Sequence, residues 1–144
     1  MNPNPDKIWL RSVLVGETAP GPIASCPAAA RLGARLVALD PERSRIRIDF
    51  DLDPGMRNGS GVVLGGLVAG MLDLLTAFAV IAFTDIEHPG TIDLQCHFLR
   101  PAVDGVLEGE GGILRAGRRI VFTEAVLRNR EGREIARGSS ALTG

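Results

Sequence analysis

Residues 54–83 read PGMRNGSGVVLGGLVAGMLDLLTAFAVIAF, a glycine-rich approach to an apolar run in which Asp73 is the sole ionisable residue between Val62 and Phe83. A helix so apolar on nearly all sides is either enclosed by the rest of its fold or spans a membrane. The run is long enough to cross a bilayer. Three features favour enclosure: the paired glycines Gly65 and Gly66 at the start, a carboxylate at the middle, where a bilayer penalises it, and amphipathic strand patterns on both sides. The expectation is a loop feeding one long helix wrapped by a sheet.

Upstream, Ala34 to Leu39 and Arg43 to Leu52 alternate in polarity. The second segment sets Ile46, Ile48 and Phe50 on one side and Arg45, Arg47 and Asp49 on the other, the period of a half-buried strand. Asp40-Pro41-Glu42 is the turn between them. Before these, Gly16 to Pro27 holds three prolines and reads as a connection. Asp6 to Val15 reads as a short helix, with Asp6 as its cap and Ile8, Trp9, Val13 and Leu14 near helical spacing. Downstream, from Gly90 to Thr143, four strand-like runs are divided by Pro101–Gly105, Ala116-Gly117 and Asn129–Gly132. The order strand, strand, long helix, strand meander gives an α+β class with an antiparallel sheet around one helix. Residues 1–29 form an N-terminal helix and loop extension, and residues 30–144 the domain proper.

Composition narrows the function classes. A chain of 144 residues, 45% apolar, suits a single core. Sixteen basic against seventeen acidic residues, with no basic cluster among stacking aromatics, argue against nucleic acid as a partner. Cys26 and Cys96 are too few for a disulfide framework and lack zinc spacing; His88 and His97 have no companion ligands, so no metal is expected. Reduced thiols and the lack of a basic region followed by a long apolar run at the N-terminus predict a cytoplasmic protein.

Asp73 needs a reason, because a carboxylate in an apolar setting is costly unless it is bonded. One reading is a structural acid bonded to a neighbour such as Thr76; the other is a general base or nucleophile. Gly65 and Gly66, in the first turn, leave backbone N–H groups unshielded at the positive end of the helix dipole, where an oxyanion would settle. The plainer reading of that pair is close helix–sheet packing. Asp73 lies eight residues after Gly65, about 12 Å along the helix, so one carboxylate cannot serve a carbonyl held at Gly65. A second subunit in a two-fold dimer with composite sites would. Cys96 and the adjacent His97 point to opposite faces of a strand and form no dyad; Cys96, with Ile92, Leu94 and Phe98, reads as a core thiol.

These residues resemble the hot-dog thioesterases of the phenylacetate-pathway type. That family carries Asn, five residues, His-Gly-Gly, six residues and Asp; this chain has Asn58, Gly65-Gly66 and Asp73 at the same spacing. The likeness continues through TIDLQCHFLRPA at 91–102, Gly117-Arg118-Arg119 and Asn129–Gly132, spanning roughly residues 30 to 143. It implies a hot-dog fold, a long central helix in a curved antiparallel sheet, and an acyl-CoA thioesterase. The Gly65 amide would be the oxyanion donor, Asn58 a polar group near the thioester or attacking water, Asp73 the base or nucleophile, and Thr91 a hydroxyl beside the site. Arg100, Arg118 and Arg119 would bind the CoA nucleotide, guanidinium groups suiting its phosphates. CoA enters as part of the substrate, with no separate cofactor, and the assembly implied is a homodimer paired into a homotetramer. Leu64 departs from the pattern, standing where the family usually has His. That leaves a non-catalytic acyl-CoA-binding protein as the alternative, ahead of an acyl-CoA dehydratase or hydratase, which would need a His in or before the helix. Met71, Leu75, Phe78 and the N-terminal segment are expected to shape the acyl pocket.

Overall fold

The computed structural model describes residues 2–144. Six strands, β1 (Ala34–Asp40), β2 (Arg45–Asp51), β3 (Gly90–Phe98), β4 (Val106–Ala116), β5 (Ile120–Arg128) and β6 (Glu134–Thr143), form one antiparallel sheet in the order β1-β2-β4-β5-β6-β3. The sheet curls around α3 (Gly65–Phe83), which touches β2, β3, β4, β5 and β6. Ile46, Ile48 and Phe50 are fully buried, as their alternation requires.

The approach of helix to sheet is set by β4. A Cβ on Gly111 would lie 2.6 Å from the Leu75 carbonyl oxygen, and one on Gly109 2.6 Å from the Ile48 carbonyl oxygen and 2.9 Å from Leu75 Cδ1. Glycine at these two positions lets the helix backbone lie directly on the strand. Leu72, Leu75 and Ala79 complete the contact, all fully buried.

The helix begins at Gly65, later than the apolar run. Val62 and Val63 belong to the entry loop, where the Val63 N–H donates to the Ala102 carbonyl at 2.8 Å. Two short elements outside the expected set are α2 (Pro27–Arg31), opened by a proline, and a 3-10 turn at Pro54–Met56 capped by Asp53. The β1–β2 turn extends to Ser44, which takes φ +52°.

The N-terminal helix α1 (Pro5–Leu14) is capped by Asn4, whose Oδ1 accepts from the Asp6 N–H at 2.9 Å. Pro5 is pre-set for the first helical position, which moves the cap two residues ahead of the expected Asp6. The buried face also differs from the expected one: Leu10 and Lys7 are enclosed and Ile8 is 59% exposed, while Trp9 and Val13 are partly buried against the core. Lys7 runs its stem under α1 and its Nζ donates to the Thr84 and Ile86 carbonyls, both at 2.8 Å, just past the end of α3. Asn4 Nδ2 donates to the Glu87 carbonyl at 2.6 Å. A lysine stem is apolar enough to bury when its ammonium finds such acceptors. Burial, partly offset by Glu87, holds the ammonium pKa below its ordinary value.

Candidate active site

Asp73 projects from the middle of α3 on the stripe the sheet does not cover and is half-buried. Its carboxylate Oδ1 accepts from Thr91 Oγ1 at 2.8 Å. Thr76, the neighbour offered as a structural partner, donates instead to the Asp73 main-chain carbonyl at 2.9 Å and leaves the carboxylate alone. The side chain is therefore oriented by one hydroxyl, with Oδ2 left to act.

Thr91 reaches Asp73 because β3 carries a bulge. Its pairing to β6 shifts between Thr91 and Asp93, which reverses the alternation and turns Thr91 to the helix side together with Leu94 and Cys96. Unbroken alternation would have sent Thr91 outward with Gln95 and His97, and would have kept Ile92, now 54% exposed, in line with Cys96. Cys96 packs against the core. Its thiol pKa is raised, first by burial and then by the Asp73 charge, which keeps it protonated and unsuited to nucleophilic attack.

Gly65 and Gly66 occupy the first turn of α3. Neither takes a positive φ, Leu64 gives no side-chain cap, and among the described residues neither amide N–H finds an acceptor. Close packing does not account for them: a Cβ on Gly65 would meet only the Phe98 ring at 3.8 Å, and one on Gly66 nothing within 4 Å. Asn58 Oδ1 accepts from the Ser60 and Val62 N–H groups and shapes the entry loop, so its amide NH2 is what it can offer a ligand. Asn58, Gly65 and Arg100 line one cleft of about 330 Å³, floored by Phe98, Ala102 and Ile135. Arg100 Nη1 donates to the Glu134 carbonyl at 2.8 Å. Leu64 is 52% exposed at the same helix end.

Asp73 lines a separate groove of about 410 Å³ on the other side of its own helix turn. A single chain thus holds two half-sites, as the rise of the helix required. Nor are the arginines together. Arg118 and Arg119 lie in the β4–β5 turn, where the Arg119 carbonyl accepts from the Gly144 N–H beside the start of β3, while Arg100 follows the end of β3. Of the residues expected to shape an acyl pocket, Phe78 lines the groove, but Met71 and Leu75 are fully buried in the core. They stand two positions either side of Asp73, about 200° around the helix from it. Gly70 and Ala77, three before and four after Asp73, share its stripe and line the groove. That spacing of small residues was visible in the sequence and would have identified them.

His97 lines a third concavity on the outer face of the sheet, with Arg45 bonded to Glu124 at 2.6 Å and Arg137 to Glu134 at 2.9 Å. These cations are neutralised by their neighbours. No cluster of three or more His, Cys, Asp or Glu able to hold a metal occurs among the described residues.

The family model described as the thioesterase superfamily matches residues 60–136. A Caenorhabditis elegans protein bearing a provisional esterase name is 31% identical over 114 residues, covering 78% of this chain and 68% of that protein. Among solved structures, a phenylacetic acid degradation-related protein from Ralstonia eutropha JMP134, described as a candidate thioesterase, has a TM-score of 0.80 at 29% identity, covering 94% of this chain and 99% of the other. A Streptococcus mutans UA159 protein solved with acetyl-CoA bound has a TM-score of 0.71 at 15% identity, covering 76% and 86% of the two chains, a likeness of fold.

Proposed function

This chain belongs to the thioesterase superfamily, with its hot-dog fold, and from that premise we propose that it hydrolyses acyl-CoA thioesters of the phenylacetate-pathway type at composite sites between two subunits. The observation that carries the reading is the placement of the two half-sites at opposite ends of β3. Asp73 is tied to Thr91 near its start, and the Phe98 ring near its end lies beside Gly65.

β3 is bonded to β6 on one edge only, with Ile92 and Phe98 each 54% exposed. Antiparallel pairing of two β3 edges around a two-fold axis sets the start of one strand against the end of the other. The partner's Asp73 and its Thr91 then come to the cleft of Asn58, Gly65 and Arg100, and the β4–β5 turn bearing the partner's Arg118 and the partner's Arg119 joins Arg100 at one mouth. Guanidinium groups gathered there suit the phosphates of CoA. The fold accommodates such an ester in the Streptococcus mutans protein.

In this arrangement the thioester carbonyl oxygen receives the Gly65 N–H at the positive end of α3. Asp73, with Oδ1 held by Thr91, takes a proton from water through Oδ2. The hydroxide adds to the carbonyl carbon, and the tetrahedral intermediate collapses with loss of the CoA thiolate, leaving the free acid. Leu64, exposed at the start of α3, supplies no imidazole, so the backbone amide carries the oxyanion with Asn58 as the nearest side-chain donor. Pairing of such dimers into tetramers completes the assembly proposed.

The test is release of free CoA thiol from short, medium, long and aryl acyl-CoAs, comparing wild type with Asp73→Asn. Loss of the base is expected to lower kcat by about 10²–10⁴-fold with the melting temperature unchanged. Absence of turnover on every ester, with CoA esters still bound in calorimetry, would overturn hydrolysis and leave an acyl-CoA-binding protein.

A further inference from the structure

The groove beside Asp73 has a direction and an end. It follows α3 from Gly70 past Ala77 to Ile81, and its opposite wall begins at Leu32, whose Cδ1 would lie 3.9 Å from a Cβ on Gly70. Asn4, Asp6 and His88 line the same groove. Asn4 is tied to Glu87 just past the helix end, and His88 Nε2 lies 3.1 Å from the Asn2 carbonyl oxygen, so the N-terminal segment closes the end towards Ile81. Asp6 Oδ1 is shut from solvent there without a hydrogen-bond partner. The wall is fastened by Lys7, whose ammonium joins α1 to the Thr84 and Ile86 carbonyls.

We infer that this groove is an acyl-chain gauge: it takes a linear, apolar acyl group of about eight to ten carbons, with the Lys7-anchored N-terminal segment setting the upper limit. The inference rests on the proposed function for the position of the thioester carbonyl beside Asp73. From Asp73 to Ile81 is eight residues, about 12 Å of helix. An extended chain advances roughly 1.2 Å per bond, since three backbone bonds span about 3.3–3.6 Å, so about ten bonds fill the distance. Up to that point each added methylene leaves water for an apolar wall. Beyond it the chain meets Asp6 and His88, where burying polar groups against methylene cancels the gain.

The test is calorimetric binding of non-hydrolysable acyl-CoA thioethers with four, eight and sixteen carbons, which reports on the groove whether or not the protein turns over esters. Buried methylenes are worth up to about fourfold each, so the eight-carbon probe should bind wild type at least about tenfold tighter than the four-carbon one. The sixteen-carbon probe should gain less than about threefold more. Ala77→Phe, which places a ring in the groove, should reduce the eight-to-four ratio below about threefold. Lys7→Met, which keeps the stem and removes the anchor, should let the sixteen-carbon probe overtake the eight-carbon one. An eight-to-four ratio near one in wild type, or an unchanged ratio in Ala77→Phe, would overturn the gauge. So would a sixteen-carbon probe preferred tenfold by wild type. If binding shows the eight-carbon preference but no ester is hydrolysed, the gauge stands and the catalytic reading falls.

Discussion

Two glycine pairs border α3, and they are glycines for different reasons. Gly109 and Gly111 on β4 lie against the helix so closely that a single added carbon would enter the Leu75 backbone. Gly65 and Gly66, at the helix start, face ordinary contact or open space and have unused N–H groups. The first pair is explained completely inside this chain. The second finds no explanation there, which marks the place where the fold ends and an external ligand or subunit begins.

Gly65→Pro is the sharpest way to break that contrast. Proline fits the first position of a helix, and Leu64 already holds the extended φ −57° and ψ 130° that a following proline demands. Only the N–H is lost. Activity should fall by about 10²–10³-fold, the range for an oxyanion donor, with the thermal transition unmoved. Mixing Gly65→Pro with Asp73→Asn subunits should restore about a quarter of wild-type turnover, because half of randomly assembled dimers have one of two sites intact. No recovery would count against composite sites.

Gly111→Ala should do the reverse, costing roughly 1–3 kcal/mol by overpacking, read as a lower urea midpoint, while turnover per folded molecule changes little. A mutant as stable as wild type would show that the sheet can yield and that the two pairs differ less than their geometry says.

Next in size is Thr91→Val, which removes the hydroxyl that orients Asp73. About tenfold in kcat, near 1.4 kcal/mol, with KM unchanged, is the expected outcome of steady-state kinetics. A change in KM alone would place Thr91 in binding instead.

The smallest effect concerns Asp49, on β2 away from both half-sites. Burial raises its carboxyl pKa above the ordinary 3.8, and Oδ1 has no partner. A carboxyl with a raised folded pKa binds more protons folded than unfolded, so stability falls as pH rises from 3.8 through the raised value. Asp49→Asn should therefore raise the melting temperature slightly at pH 7, and the gain should vanish as acid protonates the wild-type carboxyl. Thermal melts at the two pH values decide it.

Much of this architecture was legible in the residues. Alternation at Ile46, Ile48 and Phe50 gave β2 its buried face, and the single charge in α3 drew attention to Asp73. Helical rise separated Gly65 from Asp73 before any coordinates. What could not be read depends on tertiary pairing. The β3 bulge that turns Thr91 inward has no glycine or proline to announce it, and Lys7 looked like solvent-facing charge because its acceptors lie 77 and 79 residues away. The acyl-pocket residues were misassigned for a simpler reason: Met71 and Leu75 were taken for neighbours of Asp73 by sequence, whereas the helix turns them to the far side.

The docking of α1 has a practical corollary. Trp9 is the chain's only tryptophan, and there is no tyrosine, so the ultraviolet emission of this protein is the voice of one side chain on one helix. Partly buried against the core, that indole will shift to longer wavelength if α1 lifts away, even while circular dichroism still records an intact sheet. The protein carries its own optical reporter for the state of its N-terminal segment, with no label required.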